Sequence, residues 1–142
     1  MGLKLYGYLI GKDIHFDIEN KRLYRVSLTG NEKNVAFCAT NINDTMMHLF
    51  LYLLINARTK MVTKDELLKK IWEDNNLTSS TQRLWQVLNG LSAKLNLLGL
   101  PADFIKNTKG QGYIITYDEV MPLYYKASEY HYSFGLHTRE FK

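Results

Sequence analysis

Ser79-Ser80-Thr81-Gln82-Arg83-Leu84-Trp85-Gln86-Val87-Leu88-Asn89-Gly90-Leu91-Ser92-Ala93-Lys94-Leu95 is the stretch whose periodicity decides the architecture. Leu84, Leu88, Leu91, Leu95 and Leu98 recur at alternating intervals of four and three, the mark of a helix with one narrow apolar stripe. Ser79 to Gln82 reads as a capping box that opens this helix, and Gly99 with Pro101 closes it. With the leucines turned inward, Gln82, Arg83, Gln86, Asn89, Gly90 and Ala93 are left outward, flanked by Trp85 and Val87. Gln and Asn amides pair bidentately with adenine edges and Arg with guanine, each good pair discriminating by roughly 1–3 kcal/mol. Any solvated helix also carries such residues, so the face alone does not establish the contact. Gly90 weakens an exposed helix interior by about 1 kcal/mol relative to Ala; close approach to a backbone is one reason for it.

Downstream, Asp103–Asn107 and Gly112–Tyr117 flank Thr108-Lys109-Gly110-Gln111, a closing hairpin with a glycine-bearing tip made basic by Lys106 and Lys109. Such a tip suits the minor groove or a row of phosphates. Upstream, Thr63-Lys64-Asp65-Glu66 is a capping box for a helix that gathers Leu67, Leu68, Ile71 and Trp72 on one face. The polar run Glu73–Thr78 joins the two helices. Two helices on a short connection, then a hairpin, make a helix-turn-helix with a wing.

Further upstream, Met46, Leu49, Phe50, Leu53 and Leu54 mark another helix, capped by Asn43 or Asp44 and ending near Asn56–Lys60; Met61-Val62 is a short apolar piece after it. The first forty residues alternate with period two in Leu3–Leu9, Ile14–Ile18, Leu23–Leu28 and, more weakly, Val35–Cys38. The expected fold class is therefore α+β: a winged helix-turn-helix with an N-terminal antiparallel four-stranded sheet, three helices and a C-terminal β-hairpin wing. It divides into a winged-helix domain over 1–117 and an aromatic-rich extension over 118–142.

Composition bounds the function. The 142 residues suit one domain, and 18 Lys+Arg against 14 Asp+Glu leave a net +4. Between Ser79 and Tyr117, Arg83, Lys94, Lys106 and Lys109 face Asp103 alone, so most of that excess lies on the helix and wing. One cysteine, Cys38, excludes a disulfide framework within the chain, and the scattered His15, His48, His131 and His137 have no metal spacing. The acidic residues fall mostly in caps and turns, and Gly110-Gln111-Gly112 lies in a hairpin, which is not where a phosphate loop forms. No enzyme activity, cofactor or metal is expected. The longest apolar run, Met46–Ile55, spans roughly 15 Å as a helix, half a hydrocarbon core. Met1–Gly7 alternates where a signal peptide would be continuously apolar. A cytoplasmic protein with no membrane segment is expected.

In this order the elements resemble the OmpR/PhoB-type winged-helix DNA-binding domain, and most of all the ToxR/CadC-like transcriptional regulators without a receiver domain. The matching residues are Asn56-Ala57, Met61-Val62-Thr63-Lys64-Asp65-Glu66-Leu67 leading to Ile71-Trp72, the pattern Leu84, Gln86, Leu88, Leu91, Lys94-Leu95, and Ile105-Lys106-Asn107-Thr108-Lys109-Gly110-Gln111-Gly112-Tyr113. Together they cover about residues 3–117. The resemblance implies that the helix over about 80–97 reads the major groove of double-stranded DNA, with the wing over 105–113 on the minor groove or phosphates. It also implies the 73–78 loop as a meeting point with RNA polymerase. Three positions depart from the family pattern: Ser92 stands where a phosphate-binding Arg is usual, Asn107 replaces the wing Thr, and Lys109 replaces an Arg, losing the bidentate fork.

The expectation is a sequence-specific DNA-binding transcriptional regulator. Gln82, Arg83, Gln86 and Asn89 are the expected base readers; Lys60, Lys64, Lys94, Lys106, Asn107 and Lys109 are the expected phosphate and wing contacts. Tyr124, Tyr125, Tyr130, Tyr132, Phe134 and Phe141 make the extension rich in aromatics, suited to packing on the domain itself or to a homodimer or partner contact. An alternative stays open: a protein-interaction module of the same fold that modulates another regulator and binds DNA weakly or not at all, favoured by Ser92 and Ala93.

Overall fold

The computed structural model describes residues 2–28, 35–73 and 80–126. Period-two alternation becomes β1 (Leu3–Ile10), β2 (Ile14–Asp17), β3 (Arg22–Leu28) and β4 (Val35–Asn41), each antiparallel to the next. Pairing of Ile10 with Ile14 and of Phe16 with Leu23 puts these buried side chains on one face. His15 and Tyr24, also paired, lie on the other face with their rings stacked 4.9 Å apart.

Helix α1 (Asp44–Asn56) comes next in the chain. Its cap is Asn43, whose side-chain oxygen accepts the Met46 N–H at 2.8 Å. Asp44 instead meets the Lys21 ammonium at 2.6 Å, and that hydrogen bond and charge hold its carboxyl below the usual range. Phe50 of α1 packs on Phe16 at 4.8 Å, seating the helix on the sheet.

Helix α2 (Lys64–Leu67) runs on as a π-helical turn, Leu68–Trp72. Thr63 caps it by accepting the Glu66 N–H at 3.1 Å. The Glu66 carboxylate, expected on the Thr63 amide, accepts the Tyr52 hydroxyl of α1 and ties the two helices together. Helix α3 (Thr81–Leu97) buries Leu84, Leu88, Leu91 and Leu95 as its periodicity predicts. Its cap is Ser80 rather than Ser79: the Ser80 hydroxyl accepts the Arg83 N–H at 3.0 Å. The third helical position is thus Arg83, a donor with no acceptor to return, so a single cap replaces the capping box expected on Gln82.

Strands β5 (Lys106–Thr108) and β6 (Gly112–Ile114) form the hairpin. Met61-Val62 joins it at Val62, which exchanges backbone hydrogen bonds with Tyr113 at 2.8 and 2.9 Å. The four expected strands gain a fifth. Strand β7 (Val120–Lys126) returns to pair antiparallel with β1, giving the order β4-β3-β2-β1-β7. Among the described residues no helix is long and apolar enough to cross a membrane. Residues 74–78 of the connection, and Tyr130, Tyr132, Phe134 and Phe141, lie outside the described residues.

Candidate nucleic-acid interface

Burying the α3 leucines turns Gln82, Gln86, Asn89 and Ala93 to solvent as one stripe, spaced four, three and four. Arg83 is exposed on one flank and Trp85, 62% accessible, on the other. Gly90 leaves this outward set. It is half-buried, and a Cβ there would stand 3.2 Å from the Met46 methyl of α1, so the close neighbour is a side-chain end and not a backbone.

The wing stands beside α3. Its register pairs Lys106 with Ile114, Asn107 with Tyr113 and Thr108 with Gly112, leaving Lys109-Gly110-Gln111 as the turn. Lys106, Asn107 and Lys109 are exposed. Gly112 sits at φ +132°, and a Cβ there would overlap the Val62 carbonyl oxygen, so only glycine lets the wing lie this close to Val62.

Two hollows bracket the wing. The larger, about 460 Å³, lies between it and the start of α2; Thr63, Lys64, Asn107 and Gln111 line it. The smaller, about 90 Å³, is the seam between wing and α3, lined by Trp85, Asn89 and Ser92 on one side and Ile105, Asn107 and Tyr113 on the other. Asn107 borders both. Burial pushes the Tyr113 hydroxyl above its ordinary pKa.

Lys64 is exposed across the larger hollow from the wing, which itself carries Lys106, Asn107 and Lys109; Lys60 is exposed but does not line the hollow. The ion pairs Arg22–Asp17 and Arg25–Asp13 lie in the sheet and its turns, and Lys21–Asp44 joins a turn of the sheet to the start of α1; Arg83, Lys60, Lys64, Lys106 and Lys109 take part in none of them. Lys94 stands apart. It is half-buried, and its ammonium donates to the Thr40 hydroxyl of β4 at 2.9 Å, pointing toward the sheet rather than the open stripe. Periodicity alone assigns Trp85 to a flank. Its signal is the spacing Trp85, Asn89, Ser92, which places three residues along one edge of α3, but only the tertiary structure puts the wing against that edge.

A family model described as "Transcriptional regulatory protein, C terminal" matches residues 42–115. The sensory transduction protein BceR of Halalkalibacterium halodurans is 38% identical over 65 residues, which is 46% of this chain and 27% of that protein. The chain thus spans about a quarter of the length of this curated relative. In structure it is similar to the DNA-binding domain of Escherichia coli CadC (TM-score 0.63, 14% identity, covering 86% of this chain and 100% of that one). It is also similar to the DNA-binding domain of the response regulator AdeR in complex with an intercistronic region (TM-score 0.54, 19% identity, 75% and 97%). A third neighbour is the C-terminal domain of the nisin resistance regulator NsrR (TM-score 0.52, 20% identity, 81% and 97%).

Proposed function

The chain belongs to the family of transcriptional regulatory protein C-terminal domains, and from that premise we propose that it binds double-stranded DNA as a bacterial-type transcriptional regulator. In this reading α3 lies in the major groove and the wing rests on the adjacent minor groove or its phosphates. Gln82, Gln86 and Asn89 read base edges from the open stripe, with Arg83 reaching guanine from its flank. Lys60, Lys64, Lys106 and Lys109 neutralise phosphates, and Asn107 donates to the backbone beside them. Lys94 is left out of this set because Thr40 engages it. The observation that carries the reading is the amide stripe of α3 beside an exposed cationic wing.

The same proposal makes the protein a binder rather than a catalyst, acting in the cytoplasm. RNA polymerase is its partner through the 73–78 loop, and a second copy or a partner protein through 118–142. The interaction-module alternative is supported only by Ser92 and Ala93 and yields to family membership.

Titration of the chain against fragments of its source genome at several salt concentrations tests the reading. Four neutralised phosphates give a slope of log Kobs on log salt of roughly −3.6. A flat salt response, or no retardation of any fragment at low salt, sinks the proposal. Arg83→Ala is expected to relax sequence preference, costing about 1–3 kcal/mol on preferred sites. Lys109→Ala is expected to weaken every sequence alike and lower the slope by about 0.9.

A further inference from the structure

The seam between α3 and the wing has an unusual make-up for a surface facing DNA. Trp85 is 62% accessible there, whereas Trp72, the other tryptophan, is 2% accessible in the core. Asn89, Ser92, Asn107 and Tyr113 line the hollow with the indole, and no lysine or arginine does. Leu88 and Ile105, both buried, close its floor. The seam therefore offers one large apolar face and four neutral hydrogen-bonding side chains, Asn89, Ser92, Asn107 and Tyr113, of which Asn89 also belongs to the open stripe.

With α3 in the major groove and the wing on the adjacent minor groove, the wall between the two grooves is a single sugar–phosphate strand. That strand has to cross the seam. The amide stripe of α3 faces the groove floor, and Trp85, about 40° round the helix from Asn89 toward the wing, faces this wall. An indole against the wall meets deoxyribose carbons, while hydroxyl and amide groups at its rim donate to phosphate oxygens. Resting on the DNA-binding reading above, we propose that Trp85, with Ser92, Asn107 and Tyr113, forms an uncharged seat for the sugar–phosphate strand that separates the two grooves, the indole packing on deoxyribose. Such a seat adds affinity without sequence information. It also releases no counterion, so it does not contribute to the salt slope.

The test uses the full chain, one genomic fragment selected in the titration and one random-sequence duplex. Trp85→Ala is expected to weaken binding to both at least five-fold, with the selected-to-random ratio and the salt slope unchanged; Trp85→Phe recovers part of the loss. Lys109→Ala is the contrast, because it lowers the slope. In the unaltered chain, either duplex is expected to shield the accessible tryptophan fluorescence from acrylamide, a readout that needs no variant to fold. Unchanged affinity in Trp85→Ala, a changed ratio, a reduced slope, or unshielded fluorescence at saturation each overturns the seat. Failure of the unaltered chain to bind either duplex overturns the DNA-binding reading itself, and is seen before any variant is compared.

Discussion

Gly112 carries more of the wing's position than its size suggests. At φ +132° it holds a backbone conformation closed to L side chains, and its missing Cβ leaves room for the Val62 carbonyl. Both constraints act at once in Gly112→Ala: the backbone is strained, and the Val62–Tyr113 hydrogen bonds have to part to make room. The expected loss is about 1–3 kcal/mol of stability, read from the urea midpoint, with weaker DNA binding because the wing shifts. An unchanged midpoint contradicts the close approach. Residues whose task is local are the ones legible in the chain. Thr63 announces its cap because the amide it serves is three residues away. Gly90 is visible as an anomaly, but the neighbour a Cβ would crowd, the Met46 methyl, sits on another helix and leaves no trace in the pattern around it. Lys94 is opaque in the same way: its charge suggests phosphate, and only the tertiary structure shows its ammonium on the Thr40 hydroxyl.

At the scale of elements, α3 is useful only if its axis is fixed against the sheet, and Arg25 of β3 is the clamp. Its guanidinium donates to the Leu98 carbonyl at the end of α3 at 3.0 Å and to the Asp13 carboxylate at 3.0 Å. A cation at this end also meets the negative pole of the helix dipole. Arg25→Met keeps the stem and removes both bonds, and is expected to cost about 1–2 kcal/mol in chemical denaturation. The same substitution is expected to weaken DNA binding without changing the salt slope, since Arg25 touches no phosphate in the proposed complex. A variant as stable as the parent argues that the clamp is incidental. The extent of α3 is written in its leucines, and its start is missed by one residue because Ser79 and Ser80 are equally good caps by type. Arg25 reads only as one more alternating strand residue, because the carbonyl it serves lies 73 positions away.

The whole molecule differs from the sequence expectation at one sheet edge, and the reason is physical. Strand β7 pairs Val120 with Ile10 and Pro122 with Tyr8, joining the two ends of the described chain. Pro122 interrupts the strand signal, because a proline cannot donate to a ladder and demotes any run that contains it. At an edge that objection lapses, and β7 is an edge strand. Local pattern has no means of naming β1 as its partner. A chain ending at Tyr117 loses this strand, uncovers the backbone edge of β1 from Leu3 to Ile10, and gives up the buried Val120. Val120 alone accounts for about 1.5–3 kcal/mol, so a clear fall in urea midpoint is expected. The freed edge is an open template for another chain, so light scattering is expected to show association that grows with concentration. A chain ending at Lys126 is the control, because it keeps β7 and lacks only residues 127–142. If the shorter chain melts with the longer one and stays monomeric, β7 is an ornament on a four-stranded sheet. If only the shorter chain fails, the fifth strand belongs to the unit that holds α3 and the wing in place.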